Sequence, residues 1–147
     1  MRRHVVAFTG ILALALALIA AGCGGEDAPS KSEYIADGDA ICKKGDVEID
    51  AAADKQFQQN QRPTRAEIAS FAEDDVVPNI QGQIDDLRDL TPPEGDEDTV
   101  NAIYDSAQGA LDQVKDDPGL LASNADPFAE ANRLAKDYGL KECGSGG

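Results

Sequence analysis

Apolar side chains recur at three- and four-residue steps through most of the chain after residue 32. Val100, Ile103, Tyr104, Ala107, Leu111 and Val114 fall on one face of a helix, and Phe128, Ala131, Leu134, Ala135 and Tyr138 do the same. An earlier helix starts near Ser32, carries Ile35, Ile41, Ile49, Ala53 and Phe57, and fades between Gln56 and Arg62. Another carries Ile68, Phe71, Ile80, Ile84 and Leu87 to about Leu90. No run alternates with period two for long enough to make a strand. The pattern predicts an all-α domain over residues 33–143, a small antiparallel bundle of about four helices.

Punctuation between the apolar runs sharpens these boundaries. Thr64-Arg-Ala-Glu67 has the spacing of a capping box, in which hydroxyl and carboxylate satisfy the first backbone donors reciprocally. Pro78 removes one donor inside the second helix and crowds the preceding turn, which predicts a bend or break between Val76 and Asn79. Thr91-Pro92-Pro93 is a stiff extended stop. Asp96-Glu97-Asp98 then places negative charge at the start of the third helix, which runs to about Asp117 and ends at Pro118-Gly119. The fourth helix is expected to begin with Asp126 as cap and Pro127 at its first position. Gly139 suits a left-handed end, with Leu140 folding back as its apolar contact.

Residues 1–22 read differently. Met1-Arg-Arg-His4 is basic, Val5 to Ala21 is an uncharged and mostly apolar run, and Ala20-Ala21-Gly22 meets Cys23. That order of basic, apolar and small-residue regions is the layout of an export signal. The run is slightly short for a spanning helix, which needs about 20 apolar residues. Ala20-Ala21-Gly22-Cys23 resembles the lipobox of bacterial lipoproteins, with alanine where leucine is usual. The resemblance implies that Cys23 is lipidated and becomes the mature N-terminus. Small residues at Ala20 and Gly22 also suit ordinary cleavage, which would leave Cys23 unmodified. Residues 23–32 are then the lipidated cysteine and a flexible tether, whose nine residues from Gly24 span roughly 15–18 Å. Residues 144–147 are expected to be a disordered tail.

Charge and composition restrict the chemistry. The 147 residues include 28 acids and 13 bases, and all the acids lie after residue 22. A domain so acidic repels the phosphate backbone, so no nucleic-acid partner is expected. The one histidine, His4, lies in the leader, which leaves the mature chain without Ser-His-Asp, Cys-His or histidine–metal chemistry. Asp46, Glu48 and Asp50 alternate, but Ala51 stands where a calcium loop of the EF-hand type needs glycine and Phe57 where it needs glutamate. They read as a solvated helix face. Asp96-Glu97-Asp98 is explained by capping. No cofactor, catalytic or metal residue is assigned. Tyr34, Tyr104 and Tyr138 fall on apolar faces, as core residues with hydroxyls at the rim.

Asp39-Ala-Ile-Cys42, Leu87-Arg-Asp-Leu-Thr-Pro-Pro93 and Tyr138-Gly-Leu-Lys-Glu-Cys143 together resemble the small helical lipoproteins of actinobacteria, a group that implies an architecture and no reaction. The leading expectation is a non-enzymatic module, lipid-anchored on the extracytoplasmic face of the cell membrane and acting through an envelope protein partner. One alternative is a carrier whose bundle opens around a small apolar ligand, with Pro78 as the flexible point. Another is a carboxylate hydrolase, which needs two acids in separated environments within one cleft.

Cysteine arithmetic adds a bond. If Cys23 is acylated, Cys42 and Cys143 remain, and export puts them where a disulfide persists. The alternative is two buried free thiols. Gly38, Cys42 and Gly45 form a stripe on the first helix, which leaves space for the segment Leu140 to Gly144 to lie against it.

Overall fold

Ser30 starts the first helix. Its hydroxyl accepts from the Glu33 amide at 3.3 Å, and the Glu33 carboxylate accepts from the Ser30 amide at 2.9 Å, a reciprocal cap. Helix α1 runs from Lys31 to Phe57, so Lys31 and Ser32 form its first turn and not the end of a tether. The computed structural model describes residues 28–58 and 62–145. The expected leader, Cys23 and most of the tether lie outside these residues.

The Thr64–Glu67 capping box is present and opens α2, Arg65–Phe71. The expected kink at Pro78 takes another form and another place. A π-helical turn spans Ala72–Val76, and α3 continues without interruption from Val77 to Arg88. The Val77 amide reaches back five residues to the Ala72 carbonyl. The wider turn places Pro78 in the first turn of α3, where a missing donor costs little. The helix is therefore widened before the proline instead of being broken at it.

Helix α4 runs Glu97–Asp116 and is followed by a 3-10 turn, Pro118–Ala122. Regular α5 covers Ala129–Tyr138, two residues later than the expected start at Pro127. Asp126 leads into it by a turn: its carboxylate accepts the Phe128 amide and its carbonyl the Ala129 amide. Gly139 ends α5 at φ 119°, with the Leu140 amide on the Ala135 carbonyl at 2.9 Å and the Gly139 amide on Lys136 at 3.1 Å. Leu140 folds back and is completely buried.

Among the described residues the fold is all-α, an antiparallel bundle of four rods, the second built from α2, the π turn and α3. Neighbouring rods pack in chain order, and the 3-10 turn lies on α2 and α4. None of these helices is long and apolar enough to cross a membrane.

At one end α1 and α5 meet. Cys42 and Cys143 are joined there, with α-carbons 5.0 Å apart and 101 positions between them in sequence. A side chain on Gly38 would come 2.7 Å from the Leu140 Cδ2, so that glycine does make room for the returning C-terminal segment. Gly45 serves a different neighbour. Its space is filled by the Gln83 side chain from α3, not by residues 140–144. Gly144 is buried against Asn132 and Leu140, which makes it part of the domain and not of a tail.

The three tyrosines also gather at this end. Tyr34 and Tyr104 share a hydroxyl–hydroxyl hydrogen bond, Tyr104 donates to the Leu87 carbonyl at 3.0 Å, and Tyr34 meets Tyr138 edge to face. The Tyr34 and Tyr104 hydroxyls therefore lie inside the core and not at its rim. Tyr138 alone fits the expectation: its hydroxyl donates to Asp96 at 2.8 Å, beside Lys31, whose ammonium sits 3.8 Å from the Tyr138 ring centre.

Candidate functional site

The two outer rods, α1 and α5, are tied at the tyrosine end and part beyond the disulfide. Between them opens a cleft of about 660 Å³, within the range of small-molecule sites. Its wall on one side is α1, through Cys42, Asp46, Ile49 and Asp50. Val76, Ile80, Ile84, Leu87, Ile103 and Ala107 form the floor, from the π turn, α3 and α4. Leu121, Pro127, Phe128 and Ala131 supply the opposite side, and the Cys42–Cys143 bond closes one end.

Local sequence explains why the space stays open. The face of α5 towards the cleft presents Ala131 and Ala135 beside Asn132, and α4 presents Ala107 beyond Ile103 and Tyr104, so small side chains leave gaps in two of the walls. The π turn contributes Val76, directly beside the site. Such turns keep one backbone group out of regular α register, and they recur near binding sites for that reason.

Acids surround the mouth: Asp46, Asp50, Asp126 and Glu142. Asp46 is half-buried, and burial pushes its carboxyl above the usual aspartate range, with Asp50 and Glu142 adding to the shift by repulsion. The alternating acids on α1 are thus not one solvated face. Glu48 points outward, to Lys44 at 3.9 Å and the Asn79 amide at 3.2 Å, whereas Asp46 and Asp50 border the cleft. Among the described residues no three ligand side chains gather as a metal site. Gln83, Asn132 and Tyr104 are the neutral polar side chains of the described lining, and the Tyr104 hydroxyl is taken up by Tyr34 and the Leu87 carbonyl.

Asp39 is a structural residue that sequence reasoning missed. Its two carboxylate oxygens accept the amides of Lys141 and Glu142, at 3.2 and 2.9 Å, and hold the strand of chain that carries Cys143. Its position one turn before Cys42 was the available signal. The Leu120-Leu121 pair, apolar residues in an acidic stretch, likewise marked the 3-10 turn that borders the cleft.

Compared with protein-family models, curated proteins and solved structures, the chain matches none. The geometry of the cleft therefore carries the functional reading.

Proposed function

We propose that this chain is a lipid-anchored, extracytoplasmic binding module that holds a small apolar ligand in the cleft between α1 and α5. The observation that carries the reading is the cleft itself, about 660 Å³ with a largely aliphatic floor. A module acting only through a protein partner has no need of such a space. A hydrolase would use the raised Asp46 with Asp50, and both carboxylates line the cleft. Its substrate would also need orienting groups, and the lining offers two neutral amides over a floor of isoleucine, leucine and valine. Retention of an apolar molecule fits that lining better than polar group transfer.

Anchoring through Cys23 is part of the proposal. The tyrosine end of α1 would then face the bilayer, since α1 begins at Lys31. Asp46 lies 15 residues from Lys31, about 22 Å along the axis of α1 at 1.5 Å per residue. Two acyl chains suffice for a stable anchor.

A neutral apolar fluorophore, N-phenyl-1-naphthylamine, tests the cleft. It should bind one-to-one to the exported protein, and Ala107→Phe, which fills the floor, should abolish binding without loss of helicity. Equal fluorescence with both proteins would overturn the carrier reading. Cys23→Ala should move the protein from the detergent phase to the aqueous phase in a partition assay; unchanged partitioning would overturn the anchor.

A further inference from the structure

The ionisable groups of the cleft are all of one sign. Asp46 and Asp50 on α1, Asp126 before α5 and Glu142 after it border the opening, and among the described residues no lysine or arginine does. Among the described residues five bases sit with acids, all outside the cleft: Lys31 with Asp96, Lys44 with Glu48, Arg88 with Asp105, Lys115 with Asp112, and Arg133 between Glu130 and Asp137. Among the described residues none of the four cleft acids has such an ion pair. The lining of this apolar space thus carries four acids and, among the described residues, no base.

That arrangement selects an occupant. The acids are spread round the opening and do not converge as a metal site, so a small inorganic cation has no set of ligands there. A fatty acid or another anion would place its charge against four carboxylates. We propose that the ligand of the cleft is an amphipathic cation, with its apolar body on the aliphatic floor and an organic ammonium group held at the mouth by Asp46, Asp50 and Glu142. This rests on the reading of the cleft as a binding site and adds the charge of what binds. Burial is the main reason the Asp46 carboxyl is raised, and entry of a cation would offset the repulsion that Asp50 and Glu142 add to it.

Three probes of equal chain length separate the two ideas: octyltrimethylammonium, 1-octanol and octanoate. They are titrated calorimetrically at neutral pH into the exported Cys23→Ala protein, which carries no acyl chain and needs no detergent. The cation should bind about tenfold more tightly than octanol, and octanoate more weakly than either. Asp46→Asn with Asp50→Asn should lower the affinity for the cation about tenfold and leave octanol unchanged. Removing like charges relieves repulsion, so circular dichroism should show these variants fully folded. Asp37→Asn, exposed on the same helix and outside the cleft lining, controls for the general acidity of the protein and should change nothing. Equal binding of all three probes, or equal damage from Asp37→Asn, would overturn the cationic ligand while leaving the cleft as a site. Failure of octanol as well as the cation to bind would overturn the cleft reading itself.

Discussion

The two ends of this bundle are built from the same four rods and have opposite interiors. At the tyrosine end Tyr34, Tyr104, Tyr138 and Leu140 fill the space between the rods. At the other end Ala107 and Ala131 stand on the walls of the cleft, and the space stays open. The closed end also satisfies its polar groups internally, by the paired tyrosine hydroxyls, the Leu87 carbonyl and the Asp39 carboxylate. The open end leaves four acids without bases. Dense packing is concentrated at one end and open space at the other, with the disulfide at the boundary.

The disulfide offers the most drastic way to break this division. Closing a loop of 101 positions is worth up to about 4–5 kcal/mol in the chain-entropy model, less any native strain. Cys42→Ser with Cys143→Ser should therefore cost several kcal/mol in urea unfolding, enough to threaten a domain with few large apolar residues. Reduction of the native protein should act in the same direction. Recovery of both cysteines alkylated from the unreduced protein would show that the bond does not form in the cell.

Within the closed end, the tyrosines should differ among themselves. Tyr104→Phe strips a buried carbonyl and a buried hydroxyl of their partner and should cost about 1–3 kcal/mol. Tyr138→Phe loses a bond to the half-exposed Asp96 and should cost less, about 1 kcal/mol. Burial raises the pKa of all three hydroxyls above the ordinary tyrosine value of 10.0; a hydrogen bond to Tyr104 partly offsets it at Tyr34, and bonding to Asp96 adds to it at Tyr138. Their raised values give stability that is complete below pH 10.0 and is lost as pH rises through the folded values. These are the only tyrosines of the chain, so phenolate absorbance should rise with alkaline unfolding and not before it. A separate ionisation step in still-folded protein would contradict the closed core.

The closed end was the more legible one in the sequence. The Val100–Val114 stripe gave α4, Gly139-Leu140 gave the folded-back end of α5, and the cysteine count gave a unique pair once Cys23 was set aside. What sequence could not supply was the third dimension. Nothing in the spacing of Tyr34 and Tyr104 places their hydroxyls together, because they lie 70 positions apart and meet only through packing. Pro78 announced a disturbance, but whether a helix answers by kinking or by a π turn depends on the neighbours it must keep packed. The cleft was least legible of all. It is an absence of side chains, made by alanines that also suit an ordinary helix.

Glycines make the comparison again on a smaller scale. Gly38→Ala at the closed end drives a methyl against Leu140, and the overlap of about 1–3 kcal/mol should exceed the gain of about 1 kcal/mol in helix propensity. Gly109, in the middle of α4, has nothing within 4 Å of a Cβ placed on it. Gly109→Ala should raise stability by up to about 1 kcal/mol. Thermal unfolding of the two variants should move in opposite directions. A shift of the same sign in both would mean that Leu140 is less tightly seated than its complete burial indicates.

The smallest effect belongs to Asp46, and it is the one that couples the two ends. Its carboxyl is raised by burial first, then by Asp50, then by Glu142. The folded protein therefore holds a proton there more firmly than the unfolded chain, whose carboxyl titrates near 3.8. The stability contributed by that proton is complete below about 3.8 and lost as pH rises through the folded value. At neutral pH Asp46→Asn should consequently melt slightly higher than the native protein, and the difference should close as pH falls towards 3.8. Exposed acids such as Glu33 and Glu130 shift the other way, through hydrogen bonds with Ser30 and Arg133, so the readout is the difference between variant and parent at each pH. Binding of the cationic probe should weaken in the same variant. A substitution that strengthens the fold while weakening the ligand marks a charge kept for binding. If Asp46→Asn lowered the melting temperature at neutral pH, the acid would instead be holding the helices together, and the division between a stabilising end and a binding end would fail.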